Sequence, residues 1–177
     1  MSAGTTRPLS LLRVDFDGLY TRHLGRHSQL GINVAHLLAL YGLWFGVYAA
    51  IGQGARHLGL PAWWAVLVAM AAAYVVTISI NAPPAVTLVT AAFMAVFVGS
   101  VLALPALPWW AIPVLLLLIP VFYKLQSWSH KVWTAAADMS DFNRRFPPGR
   151  DLNLILLFYE VPICLNYLVF RPSDWRR

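Results

Sequence analysis

Histidines are the residues of this chain best suited to chemistry. There are five, of which His23, His27 and His36 lie near the start and His130 lies late in the chain. A neutral imidazole is the commonest metal ligand, and imidazoles from several segments form a nitrogen-rich site that suits iron, zinc, copper or nickel. These four histidines are the candidate metal ligands. The fifth, His57, is separated from them by the topology derived below.

Other polar residues stand at helical spacing beside these histidines, so that each group shares one helix face. In one unbroken helix, His27 and His36 would point to opposite faces, because nine residues at about 100° each make about two and a half turns. A shared site therefore requires a bend, which we place at Gly31 or at the Ser28–Gln29 pair. The groups are Tyr20, His23 and His27 at i, i+3 and i+7; Asn33 and His36 at i and i+3; and Gln126 and His130 at i and i+4.

Two ionisable residues fall inside apolar segments, where a charge is costly and usually serves a function. These are His36 and Glu160. Glu160 suits three roles: a metal ligand, a hydrogen-bond acceptor for a ligand histidine, or the partner of an arginine. Asn33 and Gln126 can orient imidazoles by hydrogen bonds or simply join helices.

The composition places these residues in a membrane. Residues of the AVILMFWYC set make up 59% of the 177, and charged residues make up 11%, against about 45–50% and about 25% in a soluble domain. From Ser28 to Tyr123, Arg56 carries the only charged side chain. The lone cysteine excludes an internal disulfide and a cysteine-rich metal framework. We expect an all-α integral membrane protein.

The apolar runs predict four transmembrane helices in a single membrane domain covering residues 1–177. A further apolar segment, Leu152 to Phe170, predicts either a fifth span or a re-entrant segment. The polar start of the chain lacks the features of a cleavable signal peptide and predicts an interfacial helix. A second interfacial helix is expected within 124–151. The predicted spans are Leu30 to Ile51, Pro61 to Ile80, Ala85 to Leu104 and Trp109 to Tyr123.

Basic residues set the orientation. The chain carries a net charge of +6, and its Lys and Arg residues lie mainly before the first span and after the fourth. With four spans both regions share one side, which the positive-inside rule makes cytoplasmic. We therefore expect a multi-pass protein of a bacterial inner membrane with a cytoplasmic N-terminus, and no nucleic-acid partner. His23, His27, His36 and His130 then share the cytoplasmic side, and His57 lies opposite.

The sequence resembles one family. Tyr20, His27, Asn33 and His36 open the first span, and Gln126-Ser127-Trp128-Ser129-His130 follows the fourth. This pattern resembles the small membrane proteins related to the yeast 2-hydroxy-palmitate dioxygenase, which show a Tyr…His…Asn…His segment and a late Gln-x-x-Gly-His segment. Ser129 stands where that family usually has glycine.

The resemblance implies a non-haem Fe(II) enzyme that uses O₂ to shorten 2-hydroxy fatty acids by one carbon. By position it makes His27, His36 and His130 ligands, with His23 as the fourth histidine. The candidate catalytic side chains around the metal are Tyr20, Asn33, Gln126 and Glu160.

Three functions remain open from the sequence. The first is an iron oxygenase, with zinc or another transition metal as an alternative ion, acting on a fatty acid or lipid whose head is neutralised by Arg22 or Arg26. The second is a small non-enzymatic transporter or subunit in which His36 and Glu160 relay protons. The third is a haem protein with two axial histidines. Membrane lipids are the expected surroundings, and the sequence leaves homo-oligomerisation open.

Overall fold

The computed structural model describes residues 10–133 and 150–175, and this part of the chain is helical, with an isolated bridge between Ser10 and Arg13 and no sheet. The all-α prediction is confirmed for these residues. A π-helical turn, Asn166–Phe170, continues the last α-helix, and a 3₁₀ turn covers Pro172–Asp174. The α-helices are α1 Phe16–Leu24, α2 Leu30–His57, α3 Trp63–Ser79, α4 Pro84–Leu102, α5 Ala111–Leu116, α6 Leu118–Val132 and α7 Arg150–Leu165.

Helix α1 is short because both of its ends are fixed locally. The Asp15 carboxylate accepts a hydrogen bond from the Gly18 backbone N–H at 2.9 Å, which caps the N-terminus. The helix gives way at Gly25, and α2 begins after Gln29. The chain therefore breaks where the Ser28–Gln29 pair was expected to bend it, whereas Gly31 lies inside α2.

Three helical segments are long and apolar enough to cross a membrane: Leu30–His57, Pro84–Leu102 and Ala111–Val132, the last joining α5 and α6. The segments Trp63–Ser79 and Leu154–Phe170 are also apolar helices but are shorter. The number of crossings therefore stays a prediction. The chain is continuously helical from Arg150 to Phe170.

Two helices run further than the sequence indicated. Helix α2 continues through Gly52–Gly54 to His57, where Gln53 bonds the connection after α4 through Pro105 O and Leu107 N–H. Helix α6 continues past Tyr123 to Val132, so Lys124 to Val132 belong to it and not to a separate interfacial helix. The rest of that predicted interfacial helix, 134–149, lies outside the described residues.

Glycines allow α2 and α6 to pack closely in antiparallel directions. Gly31 faces the Trp133 ring and Gly42 faces the Phe122 ring. A Cβ on Gly46 would lie 2.6 Å from the Leu115 carbonyl oxygen, a distance that no side chain tolerates. Small residues at helix interfaces in membranes permit this backbone approach. The pairing places His36 of α2 level with the last turns of α6.

Helix α7 closes the bundle against α1 and the α3–α4 connection. Its Tyr159 is fully buried beside Phe16 and Tyr20, and its hydroxyl donates to Leu11 O at 2.9 Å. A separate apolar core joins the middle of α2 to α3 and α4 around Leu67 and Phe97. This arrangement holds the N-terminal ends of α1 and α2 close to α7.

Candidate metal centre

Three histidines from three different elements converge at one end of the bundle. His27 comes from the α1–α2 connection, His36 from α2 and His130 from α6. One ring nitrogen from each lies within 4.8 Å of the others, and the ring centroids are 4.6–4.9 Å apart. His27 and His36 are buried, and His130 is partly buried. The sequence prediction that these histidines share one end of the bundle agrees with this geometry.

His36 is oriented by a carboxylate. Its Nδ1 lies 2.7 Å from Oε1 of Glu160, which also accepts a hydrogen bond from Gln126 Nε2 at 2.9 Å. With Nδ1 donating its proton to the carboxylate, the lone pair of the neutral ring is on Nε2. That Nε2 atom is buried and has no hydrogen-bond partner in the part of the chain that the structure describes. A histidine held through one nitrogen by a carboxylate, with the other nitrogen free, is the usual arrangement of a metal ligand.

The two ring nitrogens of His27 also differ, because one is hydrogen-bonded and the other is not. Its Nδ1 donates to the backbone carbonyl of His23 at 3.2 Å, and its Nε2 is buried and has no partner among the described residues. Leaving a buried polar atom unpaired costs about 1–3 kcal/mol. Binding of a single metal ion by both nitrogens would explain why two neighbouring buried imidazole nitrogens are left unpaired.

Asn33 fixes the connection that carries His27. Its Nδ2 donates to the carbonyls of His27 and Gln29 at 2.6 and 2.9 Å. Because the amide nitrogen is committed to these carbonyls, Oδ1 is the atom that faces His23 Nε2 at 2.6 Å. The Asn33 side chain is fully buried, so all of these bonds form away from water.

His23 supports His27 from behind. The two rings are stacked, with centroids 4.2 Å apart and planes 13° from parallel. Its Nε2 is bonded to Asn33, and His23 lies outside the group of three converging nitrogens. Burial lowers the pKa of His23 to about 4, and burial followed by the neighbouring histidines holds the pKa of His27 well below its usual value. Both imidazoles are therefore neutral at pH 7.

Tyr20 does not reach the histidines' cavity. Its hydroxyl donates to Asp174 Oδ2 at 2.7 Å, and the ring is buried in the core between α1 and α7. Burial first, and then the hydrogen bond to Asp174, raises the pKa of the Tyr20 hydroxyl. Tyr20 therefore links α1 to the C-terminal 3₁₀ turn through this hydrogen bond.

A cavity of about 510 Å³ opens beside the three imidazoles. Arg22 and Arg26 of the N-terminal region supply its basic side. The wall opposite comes from α7, where Leu156, Glu160 and Ile163 recur at i, i+4 and i+7 and so share one face. The apolar wall residues of α7 were not singled out from the sequence, although the helical neighbours of Glu160 identify them once α7 is known to be a helix. The lining is Arg22, His23, Arg26, His27, His36, Tyr123, Gln126, Ser127, His130, Leu156, Leu157, Glu160 and Ile163.

Ser129 is a further residue whose position matters. It is fully buried between Gln126 and His130, and its hydroxyl donates to the Gln126 carbonyl at 2.7 Å. A small side chain is required there because α6 packs directly against its neighbours.

Comparison with known protein families, with curated proteins and with solved structures finds no match to this chain. A function for the chain is therefore argued from the geometry of this site.

Proposed function

We propose that the chain is a membrane-embedded oxygenase with a non-haem iron ion bound by His27, His36 and His130, acting on a fatty acid or lipid. The observation that carries this proposal is the pair of buried Nε2 atoms of His27 and His36, which have no hydrogen-bond partner within residues 10–133 and 150–175, with His130 beside them. Each Nδ1 is already engaged, by His23 O and by Glu160.

The donor set fits a transition metal ion. A set of three imidazole nitrogens suits iron, zinc, copper or nickel. A metal–imidazole bond is about 2.1 Å long, so two nitrogens on one ion are at most about 4.2 Å apart. The three nitrogens lie within 4.8 Å of one another, so small side-chain rotations close them onto an ion. Bound Fe(II) with open positions would supply the reaction with O₂.

The protein's own residues prepare the site for that chemistry. Glu160 fixes the orientation of the His36 ring through Nδ1, and Gln126 holds the Glu160 oxygen in place. Asn33 holds the backbone carbonyl of His27. Burial of His27 and His36 keeps water from competing for their nitrogens.

The cavity favours an amphiphilic substrate. Arg22 and Arg26 supply positive charge for an anionic head, and Leu156, Leu157 and Ile163 supply an apolar wall for a chain. Its volume, about 510 Å³, is within the usual 300–1,000 Å³ range for ligand sites. The resemblance adds a specific reaction, the loss of one carbon from a 2-hydroxy fatty acid. We place the protein in a bacterial inner membrane with this end of the bundle on the cytoplasmic side.

A second candidate function rests on the contact between His36 and Glu160. A histidine and a carboxylate 2.7 Å apart inside an apolar bundle can pass a proton. This favours a small transporter or subunit as the alternative. A haem protein is less favoured, because the three rings converge on one point instead of facing each other across a flat macrocycle.

Metal analysis and a visible spectrum of the detergent-purified protein test these functions. The oxygenase predicts about one iron per chain, no Soret band, and O₂ consumption with a long-chain 2-hydroxy acid that gives a product one carbon shorter. A protein that binds no added Fe(II), zinc or copper would overturn the metal centre and favour the proton relay. A Soret band would favour haem.

A further inference from the structure

A second cavity, of about 320 Å³, lies in the middle of the bundle between α2, α3, α4 and α7. Helix α7 separates it from the metal centre. Glu160 and Leu157 line the first cavity, whereas Phe158 and Val161 line the second. The second cavity therefore has no access to the three histidines through α7.

The walls of this second cavity are apolar and carry no charge. Aromatic and methionine side chains dominate, together with one threonine whose hydroxyl is bonded to its own helix at Ala73 O. Such a surface excludes ions, because an unpaired charge in an apolar medium is very costly. The lining is Leu40, Tyr41, Trp44, Tyr48, Met70, Ala73, Tyr74, Thr77, Phe93, Met94, Phe97, Phe158 and Val161.

Among the described residues, two polar groups of this lining have no hydrogen bond, the Tyr48 hydroxyl and the Trp44 indole N–H. The hydroxyl of Tyr41 donates to Ser100 at 2.6 Å, and that of Tyr74 donates to the Phe158 carbonyl at 2.8 Å. Tyr48 is only 6% exposed, and among the described residues its hydroxyl has no hydrogen bond, but the oxygen is not fully enclosed by protein and so is open to the cavity. A tyrosine hydroxyl in apolar surroundings normally finds a partner. The missing partner points to a ligand.

We propose that the second cavity binds an uncharged single-chain lipid, such as a long-chain alcohol, with its hydroxyl on Tyr48. The lining residues of α2 run from Leu40 to Tyr48, about 12 Å along the helix axis at 1.5 Å per residue. Tyr48 is at one end of this row, so a chain with one polar end matches it. Exposed Ala73 on α3 marks an opening towards the surrounding lipid, through which the end of a chain longer than this row leaves the cavity. The proposal does not depend on a metal.

Photo-crosslinking tests the proposal. The full chain in lipid nanodiscs is irradiated with a sixteen-carbon alcohol that carries a diazirine in its chain, and the labelled peptides are identified by mass spectrometry. We expect saturable labelling of α2 and α3 around Trp44 and Met70, displaced by unlabelled hexadecanol. Palmitate, which is charged, is expected to displace it at least tenfold less effectively. Unsaturable labelling, or labelling spread evenly over the lipid-facing residues, would overturn the proposal.

Two variants sharpen the experiment. Ala73→Trp fills the opening and is expected to abolish saturable labelling, while Val96→Trp, on a residue 71% exposed on α4, is the matched control and should leave it unchanged. Tyr48→Phe removes one hydroxyl without changing the ring, so it tests the site even if Ala73→Trp does not fold. Tyr48→Phe should raise the concentration of the alcohol probe that gives half-saturation about three- to tenfold, the usual effect of losing one hydrogen bond. Unchanged half-saturation in Tyr48→Phe would overturn the role of its hydroxyl.

Discussion

Nδ1 of His36 lies 2.7 Å from Oε1 of Glu160, although the two residues are 124 positions apart in the chain. This contact joins α2 to α7 and leaves the other nitrogen of His36 facing two more imidazoles. The first prediction follows from it.

Removal of the Glu160 carboxylate is expected to weaken metal binding. Glu160→Ala deletes the acceptor that orients His36, and loss of such a partner typically costs 10–100-fold in metal affinity. Glu160→Gln keeps an oxygen acceptor for Nδ1 and should lose less metal affinity than Glu160→Ala. Chelator competition in detergent measures both affinities. Equal affinities in Glu160→Ala and the unaltered protein would show that the contact does not serve a metal.

Each of the three converging histidines is expected to be required for the metal. His36→Ala and His130→Ala should each lose stoichiometric metal, because two imidazoles are too few donors to hold one ion tightly. His57→Ala is the control, since His57 is about 31 Å further along α2 and bonds to Leu107 O. Metal content is measured by elemental analysis after dialysis. Full metal in all three variants would refute the assignment.

Substitution of Asn33 is expected to destabilise the protein. Asn33→Ala leaves the carbonyls of His27 and Gln29 and the Nε2–H of His23 without their buried partner. Each unsatisfied buried group costs about 1–3 kcal/mol, so a loss of at least about 2 kcal/mol is expected. Denaturant unfolding in detergent micelles measures it. A change below about 0.5 kcal/mol would mean that the α1–α2 connection is held by other contacts.

Two glycines of α2 are expected to respond oppositely to alanine. Gly46→Ala pushes a methyl group against the Leu115 carbonyl and should destabilise the bundle by about 1–3 kcal/mol. Gly54→Ala, in the same helix, meets no atom within 4 Å and should be neutral or stabilising by up to about 1 kcal/mol. Gly46→Ala should also weaken metal binding, because it separates α2 from α6 and so His36 from His130. Thermal unfolding compares the pair, and equal melting temperatures would contradict the close approach.

Hydropathy and basic-residue counts predicted four histidines at one end of the bundle, and the structure brings the ring nitrogens of three of them, His27, His36 and His130, within 4.8 Å of one another. The same signals do not show how helices pack. The stripe of Tyr20, His23 and His27 assumed one helix, but α1 ends at Leu24. His27 therefore leaves the stripe. Tyr20 bonds Asp174 of the C-terminal turn, and spacing alone does not reveal that this turn packs beside α1.

The role of Glu160 was open among three alternatives because the path of α7 was unknown. Once α7 packs beside α2, the carboxylate meets Nδ1 of His36 and the alternative of an arginine partner gives way to an imidazole. The extension of α6 to Val132 was hidden for a similar reason. Lys124, Gln126 and His130 lower the hydropathy of the segment, although its hydrogen bonding continues.

The histidines and Glu160 come from both ends of the chain, so no part of the polypeptide contains the site by itself. During synthesis, His27 and His36 are made before His130 of α6, and Glu160 of α7, which orients His36, is made last. An ion bound there would bridge segments made early and late, and its binding energy would add to the free energy that keeps the finished bundle assembled. Removal of the metal should therefore lower the free energy of unfolding of the bundle.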